Sequence, residues 1–133
     1  MTFVHGKNTY VSLNGNDLST YTTESDLARG ADEHDVTTYG KLAHVVSGGL
    51  LNGKASLKGI YDNTVSVGPR AVIRPLVGTV VPLIRRPEGT GSGRPQDSVS
   101  VHVKEYVETN PVADMVAWSV ELTLSDSITS TTQ

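Results

Sequence analysis

The sequence predicts a mainly β fold of antiparallel strands with one short flanking helix. Three observations carry that prediction. The first is strict alternation near the C-terminal end. Val99, Val101 and Val103 fall on one face, with Ser98, Ser100, His102 and Lys104 on the other. In the next segment Val116, Trp118, Val120, Leu122 and Leu124 oppose Ala117, Ser119, Glu121 and Thr123. Alternate side chains of a strand point to opposite faces, so a period of two means sheets with one buried face. The second observation is turn chemistry between such segments: Asn14-Gly15, Gly48-Gly49, Asn52-Gly53 and Asn110-Pro111-Val112-Ala113-Asp114. The third is that one segment alone, Ser66 to Gly78, stands out as helical.

In chain order, Asn8 to Leu13 alternates, and Asn14-Gly15 reads as a type I′ hairpin turn, whose two central residues need φ > 0. Asp17 to Tyr21 is the expected returning strand. Thr22 to Asp35 is ambiguous. Thr23 and the acids after it can cap a short helix, but Gly30 interrupts and apolar positions are sparse, so a loop leading into an irregular strand is preferred. Asp35 to Gly40 is rich in strand formers, and Leu42 to Val46 reads as a short apolar strand. Lys54 to Tyr61 alternates again, with Ala55, Leu57, Gly59 and Tyr61 on one face. A glycine within a strand, Gly59, marks a bulge or the close approach of another backbone.

For the helix, Ser66 supplies the expected cap, Pro69 suits the first turn, and Ala71, Val72, Ile73, Leu76 and Val77 form the apolar stripe. Pro75 weakens the last turn and Gly78 ends it, which leaves about two to three turns. Such a helix needs a partner and is expected to cover an open end of the sheet layers. The β-branched run Thr79 to Ile84 follows. Then come the glycine-rich loop from Pro87 to Pro95 and the two alternating strands. The expected core includes Leu57, Ile73, Leu76, Trp118, Val120 and Leu122. Residues 1–126 read as one domain, and Ser127 to Gln133, polar throughout, as a mobile tail.

Composition sets outer limits. A chain of 133 residues corresponds to one domain and can bury a core without a metal or disulfide staple. It has no cysteine, which removes thiolate chemistry and cysteine-based zinc sites. Its formal net charge is −3, and Arg85-Arg86 is its sole basic pair, so no clustered basic face for duplex DNA is visible. Met1 to Gly6 carries no secretory leader pattern, and the longest apolar stretch falls far short of the ~20 residues of a membrane helix.

Nothing in the pattern points to catalysis. His5, His34, His44 and His102 form no H-x-x-x-H or H-E-x-x-H pair, and no G-x-S-x-G elbow is present. Gly89-Thr90-Gly91-Ser92-Gly93 shares only glycines with a phosphate cradle. The acids Glu24, Asp26, Asp32, Glu33 and Asp35 lack EF-hand spacing. No catalytic residue, cofactor or metal ligand is expected, and the positive signal is for a β-rich interaction protein rather than an enzyme.

The residues also carry a resemblance. Asp35-x-Thr37-x-x-Gly40, Gly48-Gly49-Leu50 and Ala55-x-Leu57-x-Gly59-x-Tyr61-Asp62 form its first part. Leu76-Val77-Gly78, Arg86-Pro87-Glu88-Gly89-Thr90-Gly91 and Asn110-Pro111-Val112-Ala113-Asp114-x-Val116-x-Trp118-Ser119 follow in order. This series resembles bacteriophage major tail proteins, the proteins that build tail tubes, from about Gly6 to Leu124. The resemblance implies two packed antiparallel sheets, a β-sandwich or flattened barrel with one flanking helix. It implies subunits that close into hexameric rings, and rings that stack into a tube for genome delivery. The C-terminal end is too short for the extra immunoglobulin-like domain of some relatives.

Implied partners are the chain itself, other tail proteins such as tape measure, terminator and baseplate or tip proteins, and viral DNA passing through the lumen without sequence-specific binding, with no membrane. The implied location is the virion tail, after assembly in the bacterial host cytoplasm. Two segments are candidates for subunit contacts: Asp35, Thr37, Tyr39, Gly40 and His44, and the loop Glu88, Gly89, Thr90, Gly91, Ser92, Gly93 and Arg94. That loop, through Gln96, is expected to be mobile in the free subunit and ordered between subunits. Two alternatives stay open. One is a head–tail joining or tail-terminator protein of the same virion. The other is a β-sandwich carbohydrate-binding module, against which stand the 5% aromatic content and the place of Trp118 in an apolar row.

Overall fold

The computed structural model describes residues 3–62 and 64–133. Met1 and Thr2, the start of the segment read as lacking a leader, lie outside them. The elements are β1 (Tyr10–Leu13), β2 (Asn16–Asp17), β3 (Thr22–Asp35), β4 (Val46–Ile60), α1 (Pro69–Ile73), β5 (Val80–Arg86), β6 (Pro95–Thr109), β7 (Ala117–Leu124) and β8 (Thr129–Thr132). They join into one hydrogen-bonded sheet in the order β2-β1-β5-β6-β7-β4-β3, with β8 beside β6. Every pairing is antiparallel. β6 is long enough to hold two strands along one edge: β8 pairs with Pro95 to Ser98 and β7 with Val101 to Thr109. The sheet folds over there, and strands from both halves of the path share one core.

That core follows the alternation. Val99, Val101 and Val103 of β6, Trp118, Val120 and Leu122 of β7, and Ala55 and Leu57 of β4 are buried together with Val11 and Leu13 of β1 and Leu83 of β5. α1 closes the layer with Val72 and Ile73, while Leu76, expected in the core, packs against it half-buried. Burial of this apolar row fixes register, because a slip of one residue would turn every side chain to the other face. Trp118 is 1% exposed, and its Nε1 donates to the Ile60 carbonyl at 3.1 Å, so its one polar atom is satisfied.

Several local readings hold. Asn14 and Gly15 take φ of 51° and 81°, as the type I′ turn requires. Gly59 faces the backbone of the preceding turn. A Cβ there would stand 1.8 Å from the Tyr21 carbonyl oxygen, and the β3–β4 register shifts beside it, between Thr22 and Glu24. Both the bulge and the close approach expected of that glycine are present.

Other readings are corrected. The returning strand of the first hairpin is only Asn16–Asp17. Leu18 then turns into the core, and Ser19 to Tyr21 forms a 3-10 turn fixed by Asp17 Oδ1 accepting from Ser19 N. Thr22 to Asp35 is neither loop nor helix but one 14-residue strand. The segments Asp35 to Gly40 and Leu42 to Val46 are not separate strands: only Asp35, which ends β3, and Val46, which opens β4, are in strands, and residues 36–45 form the connection at the tip of the β3–β4 hairpin. Gly48-Gly49 and Asn52-Gly53 lie inside β4 rather than in turns. Ser66 does not cap the helix. Gly68 is the N-cap, with no side-chain bond, and α1 spans five residues before Pro75 draws the chain into a 3-10 turn, Arg74–Leu76. The segment expected to be a mobile tail forms β8 against β6. Threonine and serine suit an edge strand, and four β6 backbone partners left free by β7 are available to it.

Candidate assembly surfaces

The β3–β4 hairpin extends beyond the body. β7 pairs only with Lys54 to Ile60, so Val46 to Gly53 is paired with β3 alone. In this outer half Val46, Leu50 and Leu51 are exposed, as are Val36, Tyr39, Leu42 and Val45 at the tip. These exposed apolar residues follow one another along one arm rather than lying singly over the surface. The tip has its own framework. Val36 N donates to the Val45 carbonyl at 2.9 Å and Val45 N to Thr37 Oγ1 at 2.8 Å. Asp35 Oδ1 accepts from Thr37 N at 2.9 Å, and hydrogen bonding from the Thr37 side chain, with this backbone bond, holds the Asp35 carboxyl below its usual pKa. His44 Nδ1 stands 3.9 Å from Asp35 Oδ2. Asp35, Thr37, Tyr39, Gly40 and His44, chosen from the sequence, are thus brought together on one projecting tip.

The second candidate segment is built differently. Glu88 to Arg94 forms a pair of turns laced by one side chain, Gln133. Gln133 Nε2 donates to the Gly89 carbonyl at 2.8 Å, and its Oε1 accepts from Gly91 N at 3.1 Å. Backbone bonds Gly93 N to Gln133 O and Gln133 N to Arg94 O, each 2.9 Å, add to this. Arg94 donates to the Glu88 carbonyl at 3.0 Å and Arg86 to Thr90 Oγ1 at 3.2 Å. The loop expected to be mobile in the free subunit is thus bonded on both turns to the C-terminal residue.

Charged groups at the base of the arm are also engaged. Arg29 of β3 donates to Asp97 Oδ1 of β6 at 2.7 Å and to Ser130 Oγ of β8 at 3.1 Å, and Ser130 Oγ donates to the same Asp97 oxygen at 2.7 Å. Asp97 is only 13% exposed, so this clasp operates in a partly desolvated setting and ties three strands together. The pair Arg85-Arg86 is used structurally. Arg85 approaches Asp97 Oδ2 at 3.9 Å, and Arg86 stacks over the Tyr10 ring at 4.5 Å while donating to Gln96 at 2.8 Å. Sequence reasoning did not single out Arg29, Ser130 or Gln133. Opposite charges on remote strands leave no local signal until the topology is known.

The two sheet edges differ. On β1, Ser19 Oγ accepts from Val11 N at 2.9 Å and the Val11 carbonyl accepts from Leu18 N at 3.0 Å, which blocks that edge. β3 pairs with β4 alone, and its other edge has no strand partner among the described residues. At the opposite end of β4, a cavity of about 380 Å³ opens between Tyr61 and α1. Arg70 lies beside it, 3.7 Å from Glu108, which also accepts from the Tyr106 hydroxyl at 3.1 Å. Burial, reinforced by the Glu108 bond, raises the Tyr106 pKa well above the ordinary phenol value. Among the described residues no group of three or more His, Asp or Glu side chains is placed to hold a metal, and no helix is long and apolar enough to cross a membrane.

This arrangement of strands and helix defines a class, the tail-tube fold. The structure is similar to a chain of the SPP1 tail tube, with a TM-score of 0.79 at 10% identity over 98% of this chain and 80% of that one. It is similar to a chain in the tail of an empty gene transfer agent particle refined with C6 symmetry, with a TM-score of 0.77 at 12% identity over 97% of this chain and 99% of that one. A chain in the sheath–tube complex of an extracellular contractile injection system matches with a TM-score of 0.68 at 10% identity over 98% and 93% of the two chains. No family model matches the sequence, and no curated protein matches it. The expected mainly β fold with one short flanking helix is the fold found, its two layers being halves of one folded sheet.

Proposed function

We propose that this chain is a structural subunit of a tail tube. Copies close into six-membered rings through heterologous contacts, and the rings stack into a hollow conduit that delivers a genome into a host cell. The observation that carries this reading is the β3–β4 arm, apolar and unpartnered in its outer half, on a fold shared with tail-tube assemblies. The open β3 edge supports it. Such an edge is a liability in a monomer and a joining surface in a ring. The arm tip, with Asp35, Thr37, Tyr39, Gly40 and His44, takes the contact role. The turns from Glu88 to Arg94, held by Gln133, serve to dock β8.

The role is non-catalytic. Partners are further copies of the chain and the other tail proteins that start, fill and end the tube, and the working location is the tail of a virion or related particle assembled in the bacterial cytoplasm. A net charge of −3, with both members of the one basic pair engaged inside the subunit, suits DNA that passes without binding. The test is a subunit carrying Tyr39→Asp and Leu42→Asp. Both residues are exposed, so its circular dichroism and melting temperature should match the parent while it sediments as a monomer where the parent forms rings and tubes. Parent-like assembly by this variant would count against the reading.

A further inference from the structure

We infer that the cavity between Tyr61 and α1 of one copy receives the arm tip, Tyr39 to Leu42, of a second copy. This rests on the tube reading above and specifies its stacking contact. The cavity, about 380 Å³, is lined by Tyr61, Asp62, Val65, Arg70, Ala71 and Arg74. It lies where β4 ends: Tyr61 N donates to the Val116 carbonyl at 2.8 Å, one residue past the last β4–β7 pair, Ile60 with Ala117. The arm tip lies at the other end of the same strand. From Val46 to Ile60 a strand rises roughly 45 Å at about 3.3 Å per residue. A copy's own tip therefore cannot fill its own cavity, and the occupant is a second copy. In stacked rings the copies run head to tail, so the contact is heterologous and repeats, whereas a two-fold exchange of tips would stop at a dimer.

The chemistry of the two ends is complementary. The tip offers Tyr39 and Leu42, both fully exposed, among Asp32, Glu33 and Asp35 with Lys41 as its one lysine. The cavity presents two arginines and one aspartate. Asp62 is already engaged: its Oδ1 accepts from Thr64 N at 2.7 Å and from the Thr64 hydroxyl. Arg70 reaches Glu108 only at 3.7 Å, and Arg74 has no ion-pair partner among the described residues. Two guanidinium groups beside an open apolar floor are suited to an aromatic ring flanked by carboxylates, through cation–π and charge-assisted contacts. Val65, exposed in the lining, extends the apolar surface that a docked tip would cover.

The chain has no cysteine, so paired cysteines report the contact cleanly. Lys41→Cys with Ala71→Cys, both at exposed positions and leaving the Tyr39 ring in place, is assembled and oxidised. Lys41→Cys with Thr90→Cys, which places the second thiol on the Glu88–Arg94 turns, is treated alike. The expected result is a ladder of disulfide-linked multimers on a non-reducing gel from the first pair and none from the second. Arg74→Glu is expected to stop tube growth while the melting temperature stays that of the parent. Tubes that form without crosslinking at Ala71, that crosslink through Thr90 instead, or that crosslink equally through both overturn this contact and leave the tube reading standing. A parent protein that stays monomeric overturns the tube reading, and this contact with it.

Discussion

Single residues show how far alternation reaches. Trp118 falls in the apolar row of its segment, and the structure buries it with its indole N–H bonded to the Ile60 carbonyl. Trp118→Ala should cost about 3–5 kcal/mol, the range for large aromatic truncations in a core, measured by reversible urea denaturation. A loss below about 1 kcal/mol would place the ring at a surface. Gly59 was legible for a different reason: a residue without Cβ inside an alternating strand implies something close by, and that something is the Tyr21 carbonyl. Tyr106 was not legible, because its setting is made by burial and by Glu108. Its folded pKa lies above the ordinary phenol value of about 10. The neutral phenol thus contributes stability that is fully present below pH about 10 and is lost as pH rises through the folded pKa. Denaturation midpoints measured from pH 8 upward should fall more steeply above about pH 10 for the parent than for Tyr106→Phe.

At the scale of elements, the misread segments share a physical cause. Buried strands announce themselves by period, so β6 and β7 and the hairpin turn between them could be placed from sequence. The outer half of β3 and β4 packs against no second layer, so no alternation is imposed on it, and its glycines and acids read as loop. β8 is exposed throughout and is positioned by backbone pairing to β6 and by Ser130 in the Arg29–Asp97 clasp. Such long-range ties carry no local signature. They change what the glycine-rich loop should do. Deleting Gly89 to Gly93 removes the groups that Gln133 binds, so it should lower the melting temperature and speed amide exchange in Thr129 to Thr132. Gln133→Ala should produce the same exchange change in milder form. An unchanged melting temperature in the deletion would return the loop to the role of a free connector.

For the whole molecule, the order of short motifs led to a tail-tube resemblance, and the folded sheet agrees with that class despite identities of 10–12% to its structural neighbours. Of the two contact segments chosen from sequence, one is a projecting apolar tip. The other is occupied within the subunit by Gln133. The distinction required three dimensions, since both segments are connections of similar polarity. In the isolated subunit the arm exposes a run of apolar side chains and the β3 edge has no strand partner among the described residues, and assembly would cover both. The most direct measurement is sedimentation velocity of the purified chain at rising concentration, with negative-stain microscopy of the same samples. The tail-tube account predicts ring-sized species that give way to hollow tubes of uniform diameter. A single monomeric species at every concentration, with no rings or tubes in the images, would contradict it.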